Sequence, residues 1–185
     1  MQYCNTDVFW YVLFVTNGKA DKIKPCLEEA SIEYFFPVDY NSEHKIGGTE
    51  HHEWVRLPLL RSLIFVKSSK SILDPVLREA KLRLSISSDL YYRNFSDKRA
   101  IIIPENQMQN FIAVAKNENK HIMYLSNEEI NFQRGVKAKI TGGMFAGAEG
   151  VFMRLKGGKR LVVSIPNLFS VASSYIPSCY VQTIE

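Results

Sequence analysis

Gly135-Val-Lys-Ala-Lys-Ile-Thr-Gly-Gly-Met-Phe-Ala-Gly-Ala-Glu-Gly-Val-Phe152 sets an alternating apolar and basic run against a glycine-rich turn, then opens a second apolar run. Gly143, Gly147 and Gly150 offer positions where the backbone takes positive φ or comes close to another strand, so a tight turn can join two curved strands. Phe145 lies inside that turn. The runs Val136 to Ile140, Gly150 to Leu155 and Arg160 to Ile165 read as short strands separated by Gly142-Gly143 and Gly157-Gly158. From Met123 onward there is no helical periodicity, and closely spaced short strands with glycine turns predict a small barrel.

Upstream the pattern is different. Trp10-Tyr-Val-Leu-Phe-Val15 is aromatic and β-branched and ends at the turn signal Thr16-Asn-Gly18, so it reads as a buried strand. Ala20, Ile23, Leu27 and Ala30 then recur at helical spacing, with Pro25 expected to kink that helix or mark its true start. Glu33 to Tyr40 and Leu63 to Lys67 read as strands around a polar loop, Asn41 to Glu53. A second helix carries Leu73, Leu77, Ala80 and Leu84 on one face, with Asp74 as its cap and Pro75 as its first residue. Tyr91 to Phe95 and Ala100 to Ile103 read as strands. Pro104-Glu105 opens a third helix whose apolar face is Met108, Phe111, Ile112 and Ala115. This order predicts an α+β fold: an α/β sandwich over residues 1–117, a polar linker over 118–130 that begins in Lys116-Asn-Glu-Asn-Lys120, and the barrel over 131–185.

Composition sets outer bounds. Of 185 residues, 46% are hydrophobic and 23% charged, as in ordinary globular proteins. No apolar run approaches the roughly 20 residues of a membrane helix, and no secretory signal is readable, which places the expected location in the cytoplasm, away from membranes. Cys4, Cys26 and Cys179 are too widely spaced for a zinc site and are read as reduced thiols. Between Gln133 and Ile165 seven basic residues face a single acid, Glu149, an excess that attracts polyanions or merely solvates a barrel surface.

The glycine stretch closely resembles the KOW motif, and the match continues through Lys159-Arg-Leu-Val-Val-Ser-Ile165. Phe9-Trp-Tyr-Val-Leu-Phe-Val-Thr-Asn-Gly18, Phe35-Phe-Pro37 and Leu57-Pro-Leu-Leu-Arg-Ser-Leu-Ile-Phe-Val66 resemble, in order, signatures of the NusG amino-terminal domain. Within that family Tyr91-Tyr-Arg-Asn94 and Ile103-Pro-Glu-Asn-Gln-Met-Gln-Asn-Phe111 look most like the specialised UpxY antiterminators of capsular polysaccharide operons. The resemblance implies a NusG-type α/β sandwich followed by an SH3-like KOW barrel, in a transcription elongation factor that suppresses pausing or termination. It further implies that the clamp helices of RNA polymerase seat in a hollow at Phe14, Leu60, Leu63, Phe65 and Met108. Lys19, Lys22, Lys24, Lys98 and Arg99 are the cations that could approach non-template DNA or nascent RNA, or simply line exposed faces. Gly143, Phe145, Gly147, Gly150, Lys159 and Arg160 form the KOW surface for a ribosomal small-subunit protein or Rho. Phe145 could equally fold back onto the barrel core. A KOW-type RNA-binding or ribosome-associated protein is the competing reading.

Enzymatic readings find little support. His51-His52-Glu53 lacks the spacing and helical setting of a metalloprotease, and the glycine stretch lacks the Gly-Lys-Ser/Thr ending of a phosphate loop. There is no nucleophile elbow. Neither a metal nor a cofactor is expected.

Overall fold

The computed structural model describes residues 7–15, 20–37, 62–116, 122–126, 130, 132–166 and 168–184. Packing divides these into two units, one covering described residues up to 37 and from 62 to 105, the other running from 106 onward. The expected loop 41–53, with its histidine pair, lies outside the described residues, as do Cys4, Lys19 and Leu60.

In the first unit, β1 (Phe9–Phe14), β2 (Glu33–Phe35), β3 (Leu63–Ser68) and β4 (Ile102–Ile103) form an antiparallel sheet in the order β2-β3-β1-β4. Val12 pairs with Phe65 and Phe14 with Leu63, so the period of two sends alternate residues to opposite faces. Tyr11, Leu13, Val15, Ile64 and Val66 share one face with α1 (Ala20–Glu29) and α2 (Lys70–Leu84). Ala20, Ile23 and Leu27 of α1 and Leu73, Leu77 and Ala80 of α2 complete that core, as their helical spacing predicts. Each fully buried Leu or Ile contributes about 1.5–3 kcal/mol.

Both helix starts differ in detail from expectation. α2 begins at Lys70, with Ser69 at its N-cap, and the Leu73 amide donates to the Ser69 carbonyl at 2.9 Å. Asp74 and Pro75 therefore lie inside the helix. Pro75 is tolerated because the carbonyl it leaves without a donor belongs to exposed Ser71, where water can reach it. Pro25 likewise sits within α1 on an exposed position. At its other end α2 stops in the left-handed residue Ser85 (φ 51°), while the Ile86 amide closes on the Lys81 carbonyl at 2.9 Å. Of the strands expected at 91–95 and 100–103, only β4 and isolated bridges at Tyr91 and Arg93 with Ala100 form.

The second unit holds nearly all of α3 (Glu105–Ala115) and β5 (Met123–Leu125), β6 (Val136–Ile140), β7 (Glu149–Leu155), β8 (Gly158–Ile165), β9 (Phe169–Ala172) and β10 (Val181–Thr183). The strands are antiparallel in the order β10-β6-β7-β8-β9-β5. No ladder joins β5 to β10 among the described residues, so the expected barrel is here a six-stranded sheet. The β7–β8 turn is Lys156-Gly157, both at positive φ (46° and 81°), with Leu155 paired to Gly158. That is the two-residue hairpin geometry that matches strand twist.

α3 packs with this sheet. The rings of Phe111 and Phe169 meet edge-on at 5.7 Å, Gln107 Nε2 donates to the Ser164 carbonyl at 2.6 Å, and the Glu149 amide donates to Asn110 Oδ1 at 2.9 Å. The expected first domain runs to residue 117 and so includes this helix. β5 lies within the stretch read as linker and pairs with β9; a three-residue apolar run is too short to signal a strand.

Candidate partner-binding faces

On the side of the first sheet away from α1 and α2, register brings together Trp10, Val12 and Phe14 of β1, Leu63 and Phe65 of β3, Phe35 of β2 and Ile103 of β4. Three of the five expected polymerase anchors, Phe14, Leu63 and Phe65, thus share one face. Leu63 and Phe65 are fully buried, while Phe14 is half-buried with its ring edge-on to Tyr92 at 5.9 Å. Met108 is fully buried in α3 within the second unit.

The same face carries a polar cluster. The Trp10 indole donates to Glu105 Oε2 at 2.9 Å, and Lys67 Nζ donates to Glu105 Oε1 at 3.0 Å while lying 3.7 Å from Glu33 Oε2. The hydrogen bond to Glu105 raises the Lys67 pKa above the ordinary lysine value, against the opposing effect of desolvation.

The expected nucleic-acid cations have unequal freedom. Lys22 and Lys24 are exposed on α1, but Lys24 Nζ lies 3.9 Å from Glu28 Oε1 and 6.0 Å from the Tyr34 ring centroid. Asp21, Glu28 and Glu29 share that helix, so its surface has mixed sign. Lys98 and Arg99 are exposed on the turn after Tyr92, and neither has an ion pair among the described residues.

In the glycine stretch, Gly143 (φ 77°) and Gly147 (φ 89°) occupy the left-handed region. Gly150 has an ordinary φ, but a Cβ there would stand 2.6 Å from the Val162 carbonyl oxygen, so its role is close strand approach. Phe145 is only 4% exposed; its neighbour Met144 is 62% exposed. Lys159 is exposed and donates to Ser178 Oγ at 2.9 Å. Arg160 faces Met153 across the ladder and donates to the Ser173 carbonyl at 2.7 Å, and burial lowers its pKa. Sequence reasoning missed Tyr180. A Cβ on Gly142 would meet Tyr180 Cδ1 at 2.7 Å, so the glycine lets this partly exposed ring lie against the backbone. The glycine pair was the available signal, read only as a turn.

The family model described as transcription termination factor NusG matches residues 9–131, more than half of the chain. This chain belongs to the NusG family. The match spans the first sheet and all three helices and stops short of the glycine stretch. A NusG-family factor regulates transcription elongation and termination by binding, without catalytic chemistry. Among solved structures, a Thermotoga maritima NusG studied for its domain interaction aligns with 97% of this chain and 98% of that one, at 15% identity and a TM-score of 0.45. That likeness is too loose to add to the family match. No curated protein matches the chain. No described helix is long and apolar enough to cross a membrane, and no group of metal-ligating side chains occurs among the described residues.

Proposed function

We propose that this NusG-family factor rides on RNA polymerase and suppresses pausing or termination, as an antiterminator of the UpxY kind serving capsular polysaccharide operons. The observation that carries this reading is the shared apolar face of Phe14, Leu63 and Phe65 inside the region matched by the family model. The clamp helices of polymerase would seat there, with Leu60 and Met108 as further anchors. An apolar helix face laid on such residues gains about 25 cal/mol per Å² buried, before the costs of association. Leu63 and Phe65 have no accessible surface in this structure, and half-buried Phe14 is the anchor of the three that a partner can touch directly.

Lys22, Lys24, Lys98 and Arg99, with Lys19, would contact phosphates of the displaced strand or nascent RNA, positioning without reading sequence. The KOW-type carboxy-terminal region would take a ribosomal small-subunit protein or Rho. Gly143, Gly147 and Gly150 shape its turn, and Lys159 and Met144 are among its exposed side chains. The protein would act in the cytoplasm.

Phe14→Asp in the full chain tests the polymerase site, because a half-buried position can accept the change without unfolding. The expected result is at least about a tenfold loss in capture of RNA polymerase, roughly 1.4 kcal/mol, with read-through of a terminator lost in parallel and the melting transition kept. A folded Phe14→Asp protein that retains polymerase and read-through would remove this face from the mechanism.

A further inference from the structure

Tyr175-Ile-Pro-Ser-Cys-Tyr180 carries two exposed aromatic rings on one short segment of the second unit. Tyr175 is 61% exposed and Tyr180 41%, while Ile176 between them is buried. Single exposed apolar residues are common, and exposure alone would mean little. What distinguishes this pair is how firmly the backbone sets both rings.

The Ile176 amide donates to the Lys159 carbonyl at 3.0 Å, which ties the Tyr175 end to β8. Pro177 is extended (φ −60°, ψ 138°) and leads into a single 3-10 turn, Ser178–Tyr180, in which the Tyr180 amide donates to the Pro177 carbonyl at 3.0 Å. The Thr141 amide donates to the Tyr180 carbonyl at 2.8 Å, which ties the other end to the glycine turn. There the Tyr180 ring lies across two glycines: a Cβ on Gly142 would stand 2.7 Å from Cδ1, and one on Gly143 would stand 3.7 Å from Cε2. Backbone therefore supports one side of the ring and solvent meets the rest. Neither phenol hydroxyl has a hydrogen-bond partner among the described residues. Both rings are set before any ligand arrives, which limits the ordering cost of binding.

We propose that Tyr175 and Tyr180 form a docking strip for a proline-rich segment of a partner protein, with an acidic residue flanking the prolines. A polyproline II helix rises about 3.1 Å per residue and repeats every three residues, so positions one turn apart are about 9 Å apart. Two extended steps and three 3-10 steps keep the Tyr175 and Tyr180 Cα atoms within about 13 Å of each other, so each ring packs on a successive turn of the ligand. That ligand makes no internal hydrogen bonds, and its carbonyls accept from the two unpartnered phenols. It arrives already ordered, which is why aromatic surfaces capture it at low entropic cost. The charges supply the acid. Arg154 and Lys159 face each other across the β7–β8 ladder, both exposed and neither with an ion pair among the described residues. Like charges placed opposite one another are destabilising, and a carboxylate between them relieves this. Lys159 Nζ donates to Ser178 Oγ at 2.9 Å, which holds the ammonium group on the strip, whereas on the Tyr180 side Lys139 is neutralised by Glu149 at 2.9 Å. Cations gathered toward one end fit a peptide with a flanking acid better than a nucleic-acid strand, whose charge repeats at every phosphate. The strip goes beyond the partners proposed above for the glycine turn and does not depend on polymerase binding.

The test is fluorescence anisotropy on the full chain with three labelled probes: decaproline with a glutamate at each end, the same peptide with a lysine at each end, and oligo-uridine. Wild type is expected to bind the glutamate-flanked peptide with a Kd below about 0.5 mM, and more tightly than either other probe. Tyr175→Ala and Tyr180→Ala should each weaken that binding about tenfold, and Tyr175→Phe and Tyr180→Phe about threefold, since phenylalanine keeps the ring and loses the hydroxyl. Gly142→Ala should act like Tyr180→Ala, because the new methyl group displaces the ring. Replacing Arg154 and Lys159 together by alanine should erase the preference for glutamate over lysine. Thermal melts check that each variant is folded, and Tyr175, the more exposed of the two rings, is the position where truncation disturbs the fold least. No wild-type binding of the glutamate-flanked peptide below about 0.5 mM, a folded Tyr175→Ala protein with wild-type affinity, equal affinity for the two peptides, or tighter binding of oligo-uridine would each overturn the proposal.

Discussion

Tyr91 Oη lies 2.6 Å from Asp74 Oδ1, so a phenol on the segment bridged to Leu13 donates directly to a carboxylate on α2. Burial first, and the Asp74 bond second, hold the Tyr91 pKa far above the ordinary tyrosine value. The folded state therefore keeps this proton more tightly than the unfolded chain. Its stabilisation is complete below about pH 10 and declines as pH rises beyond that toward the folded value. Tyr91→Phe should cost about 1–2 kcal/mol in urea unfolding near neutrality. The gap between wild type and variant should narrow in alkaline buffer; a gap independent of pH would contradict this account.

Glu105 should matter to Trp10 more through its oxygens than through its charge. Glu105→Ala leaves the indole N–H of a 1% exposed tryptophan without its acceptor, and should destabilise the protein by about 1–3 kcal/mol. Glu105→Gln keeps an acceptor and should cost less. Denaturant titrations followed by Trp10 fluorescence in a Trp54→Phe background would rank the two; equal losses would mean that the Trp10 hydrogen bond contributes little.

Gly147 and Gly150 should respond to alanine for different reasons. At Gly147 the space is open but φ is 89°, so alanine adds backbone strain of about 1–2 kcal/mol. At Gly150 φ is ordinary, but the new methyl group meets the Val162 carbonyl oxygen at 2.6 Å, so β7 and β8 must separate, at about 1–3 kcal/mol. Gly147→Asn should recover part of the loss at the first position, since asparagine tolerates the left-handed region, whereas Gly150→Asn should be worse than Gly150→Ala. Thermal melts of the four variants test the contrast.

Phe145→Ala should cost about 3–5 kcal/mol as a core truncation, whereas Met144→Ala should stay within about 0.5 kcal/mol of wild type. If partner binding by the glycine turn is measured, folded Met144→Ala is the informative variant. A Phe145→Ala protein as stable as wild type would mean that the ring contributes no packing.

The first sheet was readable because β1 and β3 are dense in aromatic and branched residues and because α1 and α2 bury residues at regular helical spacing. The β7–β8 hairpin was readable because Gly157-Gly158 sits between two apolar runs. Several site assignments were not readable, for a common physical reason. Strand β8 buries residues on both faces, among them Leu161, Val162, Val163 and Ile165, so alternation could not reveal that Arg160 turns inward while Lys159 turns out. A phenylalanine in a glycine turn can project or fold back, and only tertiary packing settled Phe145. β5, β9 and β10 are three or four residues long, and their ladders come from partners distant in sequence.

The pairing of β5 with β9 bears on the order in which the second unit can be completed during synthesis. Among the described residues β5 is an end strand with a single neighbour, and three strands of the same sheet are made between it and that neighbour. The β7–β8 hairpin can close as soon as its own residues leave the ribosome, because its turn is two residues long. Met123, Tyr124 and Leu125 must wait with their apolar side chains and backbone groups unmatched until Phe169–Ala172 has been made. Nascent chains stalled before and after β9 should therefore differ in protease sensitivity at β5, although β5 itself is present in both.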